Sequence, residues 1–122
     1  MKAKKKLVIL VCGDRKWKNR KRIGQQLIKR KKKIGLLIEG GAKGADEIAW
    51  DYARLLGIPT ATFEANWEQH GKAAGPIRNM AMLQYGKPDL VLAFHKKLVK
   101  SKGTKHCVEQ ARKLGIKVKV FK

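Results

Sequence analysis

Acidic residues are scarce in this chain. Nine Asp and Glu face 30 Lys and Arg in 122 residues, for a formal net charge of +21. Cysteine is scarcer still: Cys12 and Cys107 are too few and too far apart for a disulfide framework or a metal site, and read as two buried thiols. No metal and no cofactor are expected. Aromatic residues make up 7% and are not interleaved with the basic runs. No apolar run reaches the 18 residues of a membrane span, so no membrane partner is expected. The basic-then-apolar start, MKAKKKLVILVCGD, resembles a secretion signal only briefly. Its apolar run ends at Cys12 and meets Gly13-Asp14-Arg15, too short for a signal core. A cytoplasmic protein is the expectation.

The charge that is present lies at the two ends. Residues 1–33 hold 15 Lys and Arg against one acid; residues 34–94 hold five against seven; residues 95–122 hold ten against one. Such a field raises the local concentration of anions. Nucleic acid is one partner class, through salt-dependent phosphate contacts; a solubilising lysine surface is the plainer alternative.

The middle of the chain alternates strand-like and helix-like runs. Strands are predicted at residues 7–12, 35–39, 60–64, 89–94 and 117–121, and helices at 19–33, 45–56, 76–85 and 104–114. The runs LVILVC and DLVLAF are apolar throughout, as in strands covered on both faces. KVKVF alternates, as an edge strand does with its lysines outward. The predicted inward stripes are Ile23 and Leu27; Ile48, Ala49, Tyr52, Leu55 and Leu56; Ile77, Met80, Ala81 and Gln84; and Cys107, Val108, Ala111 and Leu114. Trp50 falls off its stripe and suits a contact between copies in a homo-oligomer. This is one α/β domain over residues 1–122, with a basic tail at 1–6. The fold class is a Rossmann-like three-layer α/β/α domain with a five-stranded, mainly parallel sheet.

In such sheets ligands bind outside the carboxyl ends of the strands. Four segments leave strand ends: residues 13–18 (GDRKWK), 40–46 (GGAKGAD), 66–79 (NWEQHGKAAGPIRN) and 95–104 (HKKLVKSKGT). They hold most of the glycines. Gly40, Gly41 and Gly44 would let backbone N–H groups approach an anion, with the next helix presenting its positive end. Asp46 suits a helix cap or a sugar hydroxyl. Ser101, Lys102, Gly103 and Thr104 form a second candidate phosphate cradle, or a simple capping turn. Arg78 with Asn79, behind Gly75-Pro76, offers a planar fork for phosphate or carboxylate, or a surface ion pair with Glu64 or Glu68. Trp17 and Trp67 suit either base stacking or the core, and His70 either a site or a structural role. Neither the dinucleotide fingerprint nor a P-loop occurs.

Taken together, Cys12-Gly13-Asp14-Arg15-x-Trp17, Glu39-Gly40-Gly41-Ala42-x-Gly44-Ala45-Asp46, the block from Trp67 to Asn79, Pro88-Asp89 and Lys102-Gly103-Thr104 resemble the YspA-type, cpYpsA-related branch of the SLOG superfamily. The resemblance runs over nearly the whole chain. It implies a Rossmann-like domain that binds nucleotides or nucleotide-derived ligands, related to LOG-type phosphoribohydrolases and DNA-processing protein A. In LOG-type enzymes a glutamate follows the P-G-G-x-G-T turn by three residues. Here that position is Cys107, and Glu109 lies two residues further on, about 200° round the helix. Arg78 and Asp46 remain the catalytic candidates. The leading expectation is a nucleotide-binding module that senses or sequesters its ligand. Cleavage of a nucleoside monophosphate's N-glycosidic bond and binding of single-stranded DNA are the alternatives.

Overall fold

The computed structural model describes residues 6–122. Of the expected basic tail, residues 1–5 lie outside the described residues. The strands are β1 (Leu7–Gly13), β2 (Ile34–Glu39), β3 (Thr60–Thr62), β4 (Leu90–Phe94) and β5 (Lys117–Phe121). The helices are α1 (Arg20–Arg30), α2 (Ala45–Leu55), α3 (Trp67–His70), α4 (Ala74–Gln84) and α5 (Gly103–Lys113). All neighbouring strands pair in parallel, in the order β3-β2-β1-β4-β5. The chain builds outward from β1 to β3, then crosses back and builds from β4 to β5. Strand order therefore reverses between β1 and β4, and a crevice opens there beyond their carboxyl ends.

Period-two alternation divides the core between two faces. Ile9, Val11, Leu92 and Phe94 point to the face covered by Ile23 and Leu27 of α1 and Ile48 and Ala49 of α2. Leu10, Cys12, Val91 and Ala93 point to the face covered by Met82 and Leu83 of α4 and Cys107, Val108 and Ala111 of α5. β4 is buried along its whole length, as a central strand with helices on both sides must be. β5 is an edge strand, with Lys117 and Lys119 exposed.

Three predicted stripes need correction. Leu55 is 80% exposed, and Ala53 takes its place in the core. Leu114 is 52% exposed, because α5 ends at Lys113 and Leu114 follows it as the C-cap. The inward face of α4 was misplaced most. Ile77 and Gln84 are exposed, while Gly75, Asn79, Met82 and Leu83 are buried. A glycine and an asparagine on the inward face hide that face from any hydrophobic count. α4 also begins two residues earlier than predicted, β3 ends two residues earlier, and α1 gives way to a 3₁₀ turn at Lys31–Lys33. The short α3 was not predicted. Asn66 starts it, its Oδ1 accepting from the Gln69 N–H at 3.0 Å.

Candidate functional site

The loop after β1 is fixed from both sides. The Asp14 N–H donates to Phe94 O at 2.9 Å, and Asp14 O accepts from the Ala45 N–H at 3.1 Å. Asp14 thereby joins β1, β4 and the start of α2. Gly13 and Gly44 permit this approach. A Cβ on Gly13 would lie 2.5 Å from Phe94 O, and one on Gly44 would lie 2.3 Å from Asp14 O. Gly44 also has φ +75°.

The GGAKGAD turn behaves differently from the expected anion cradle. Asp46 Oδ2 accepts from the Gly40 N–H at 2.9 Å and the Ala42 N–H at 3.4 Å. Glu39 Oε1 accepts from the Gly41 N–H at 2.7 Å. The donors expected to face a ligand are thus taken up by the turn's own carboxylates, and the first N–H of α2 by Asp14. Burial pushes the Asp46 carboxyl up to about 7, opposed by the nearby Arg78 guanidinium. Burial also raises Glu39, opposed by hydrogen bonds from the Thr62 hydroxyl and the Gly41 N–H.

At the switch point between β1 and β4 lies a cavity of about 310 Å³. Gly13, Asp14, Arg15 and Lys16 line it from the β1 loop, with Cys12 at its floor. Ala42 and Asp46 form one wall and Arg78 and Asn79 another. His95, Ser101, Gly103 and Thr104 close it from the β4 side. Its cationic groups are Arg15, Lys16 and Arg78. The start of α5 adds the positive end of a helix dipole. Ser101 Oγ accepts from the Thr104 N–H at 3.0 Å and so caps α5. Ser101 Oγ also accepts from the Lys105 N–H at 3.4 Å, and a Cβ on Gly103 would meet nothing within 4 Å, so the space beside this capped end is clear.

Arg78 forms no ion pair with Glu64 or Glu68 among the described residues. Its Nη1 donates to Gly40 O at 2.5 Å and its Nε to Asn79 Oδ1 at 2.9 Å. Asn79 in turn donates to Gly103 O at 3.2 Å, tying α4 to α5. Beyond Arg78 lies a second cleft of about 410 Å³, lined by Arg15, Gly40, Gly41, Lys43, Glu64 and Trp67 among others.

The expected residues therefore separate. Gly13, Asp14, Arg15, Asp46, Arg78, Asn79, Gly103 and Thr104 line the first cavity; Gly40, Gly41 and Trp67 line the second with Arg15 and Arg78. Trp17 lies in the core, 5% exposed and edge-on to Phe94, its indole N–H donating to Asn19 O. Gly44 and Gly75 serve packing, Gly75 near the Cη2 edge of Trp67. Pro76 sits exposed in the first turn of α4, and Lys102 exposed at the start of α5. His70 lines a separate cleft with Phe63 and Ile77. Trp50 is 37% exposed beneath Arg54.

His95 and Lys16 line the cavity without being among the expected site residues, and Cys12, expected only as a buried thiol, lines it too. His95 directly follows β4, so the strand-end rule contains the signal that would have found it. Cys12 and Cys107 are both buried, as expected, and they also touch. A hydrogen bond with Cys107, and then burial, hold the Cys12 thiol well above its usual range. Such a thiol is inert as a nucleophile.

A profile of the YspA, cpYpsA-related SLOG family (YAcAr) matches residues 7–70, more than half of the chain. The chain belongs to this family. The YAcAr match ends before α4, yet Arg78 and Asn79 complete the cavity. The gene 61 protein of Mycobacterium phage D29 is similar over almost the whole chain. It is 38% identical over 118 residues, spanning 90% of this YAcAr chain and 92% of that protein. Among solved structures, DNA processing protein A from Streptococcus pneumoniae superposes with a TM-score of 0.78 at 17% identity, over 94% of this chain and 50% of that one. At that identity the likeness is one of fold, and this chain spans about half the length of that protein. No helix among the described residues is long and apolar enough to cross a membrane.

Proposed function

We propose that the switch-point cavity binds the phosphate-bearing end of a nucleotide or nucleotide-derived ligand, as a sensor or sequestering module. One observation carries this reading: Arg15, Arg78 and the start of α5 line a single cavity where the strand order reverses. The family assignment supports it. Binding is favoured over cleavage because the position of the hydrolytic glutamate holds Cys107, fully buried against Cys12. Asp46, a carboxylate on the same cavity, already holds the turn.

Titration calorimetry against the four nucleoside 5′-monophosphates tests the reading. Arg15→Ala is expected to weaken binding about tenfold, the scale of one lost charged contact. Because Arg15 is exposed, the melting temperature should not move. The absence of heat for every mononucleotide at millimolar concentration overturns the reading.

A second reading, binding of single-stranded DNA, has its own observation. Lys119 on the β5 edge has its pKa lowered by like charges, first Arg30 and then Lys117, so cations are crowded along that side. A fold neighbour named for DNA processing points the same way. This surface lies at the sheet edge and leaves the cavity available.

A further inference from the structure

Resting on the nucleotide reading, we propose that the ligand is two-headed. It consists of two nucleotide units joined through a phosphate, one in the switch-point cavity and the other in the adjoining cleft over Trp67. The two hollows, about 310 and 410 Å³, each lie near the lower end of the range for small-molecule sites. Each suits one unit of modest size. Arg15, Ala42 and Arg78 line both, so two guanidinium groups stand at the boundary between them, where a bridging phosphate belongs.

Arg78 is held at this boundary by the Gly40 carbonyl and Asn79. A Cβ on residue 40 would lie 2.4 Å from Arg78 Nη1, so glycine is what lets the guanidinium rest there. The far cleft has a different chemistry from the near one. Trp67 is 48% exposed, with Gly75 near its Cη2 edge and the Arg15 guanidinium over its ring, 5.3 Å from the centroid. A half-exposed indole with a guanidinium over one face offers a base the planar guanidinium and the rest of the indole to stack on. Glu64 on the same cleft suits the donors of a base or ribose, and its charge offsets that of Lys43 there. The order along the ligand is therefore a phosphate-bearing unit, the linking phosphate, and then a stacked base.

The test compares each nucleoside 5′-monophosphate with its 5′-phosphorylated dinucleotide by calorimetry. The best dinucleotide is expected to bind about tenfold tighter than its mononucleotide, the scale of one stacked base. Trp67→Ala should cost the dinucleotide about tenfold more than the mononucleotide, with Trp67→Phe restoring part of the difference. Equal affinities, or a Trp67→Ala loss equal for both ligands, overturn the proposal. If mononucleotides bind without any dinucleotide gain, only the two-headed ligand falls; if neither binds, the nucleotide reading falls with it. A 5′-phosphorylated dodecamer distinguishes the source. Affinity equal to the dinucleotide's identifies a free dinucleotide, and tighter binding identifies a strand end; both keep the linkage proposed here.

Discussion

Asp46 is the residue on which the candidate site turns. Its carboxylate closes the GGAKGAD turn, yet burial makes its charge costly and lifts its pKa to about 7, well above the ordinary aspartate range. The folded state therefore holds this proton at pH values where the unfolded chain has released it. The stabilisation is fully present below about pH 4 and is lost as the pH rises through 7, up to about 4 kcal/mol in all. Glu39, raised in the same sense, adds to the slope. In Asp46→Asn the Oδ1 can still accept from the Gly40 N–H but does not titrate. Urea unfolding of both proteins between pH 4 and 8 should show the variant gaining relative to wild type across that interval. A constant difference between the two would refute the buried, proton-holding carboxylate.

Among the elements, the junction of the β1 loop with α2 is the tightest. Two contributions meet at Gly44: a positive φ, and a backbone approach to Asp14 and Arg15 that leaves no room for a Cβ. Gly57, at the end of α2, has φ +72° with nothing within 4 Å of its Cβ position. Comparing the two separates conformational strain from crowding. Gly57→Ala is expected to cost about 1 kcal/mol, from strain alone. Gly44→Ala should cost about 3 kcal/mol or more, since β1 and α2 must part. Equal losses in chemical denaturation would mean that the junction is looser than described. The same junction brings Arg15 to the cavity, so Gly44→Ala should also weaken any nucleotide binding.

At the scale of the whole molecule, charge and cavity occupy different places. Basic groups crowd the β5 edge, where Arg22 also lies over Phe121 at 4.9 Å and Arg30, Lys117 and Lys119 oppose one another. If single-stranded DNA docks there, replacing Lys117 and Lys119 with Glu removes two phosphate contacts. The slope of log affinity against log salt should then fall by about 1.4 in a fluorescence anisotropy titration, with mononucleotide affinity unchanged. An unaltered slope would exclude this edge as the docking surface.

Sequence alone determined the alternation of elements, the parallel sheet and the four loops at strand ends. These depend on local periodicity, on glycines and on continuous apolar runs, which neighbouring residues carry among themselves. It also placed Arg78, Asn79 and the Gly103-Thr104 turn on the correct rim, because parallel topology sends every strand end the same way. Tertiary structure decided the rest. Strand order set β1 beside β4 and so chose which loops share a cavity. Only assembled contacts revealed that Asp46 and Glu39 take up the N–H groups expected to face an anion, or that Cys12 touches Cys107. The inward face of α4 was illegible for the same reason. Asn79 is buried because it bonds across to α5, a distant partner that no local pattern encodes.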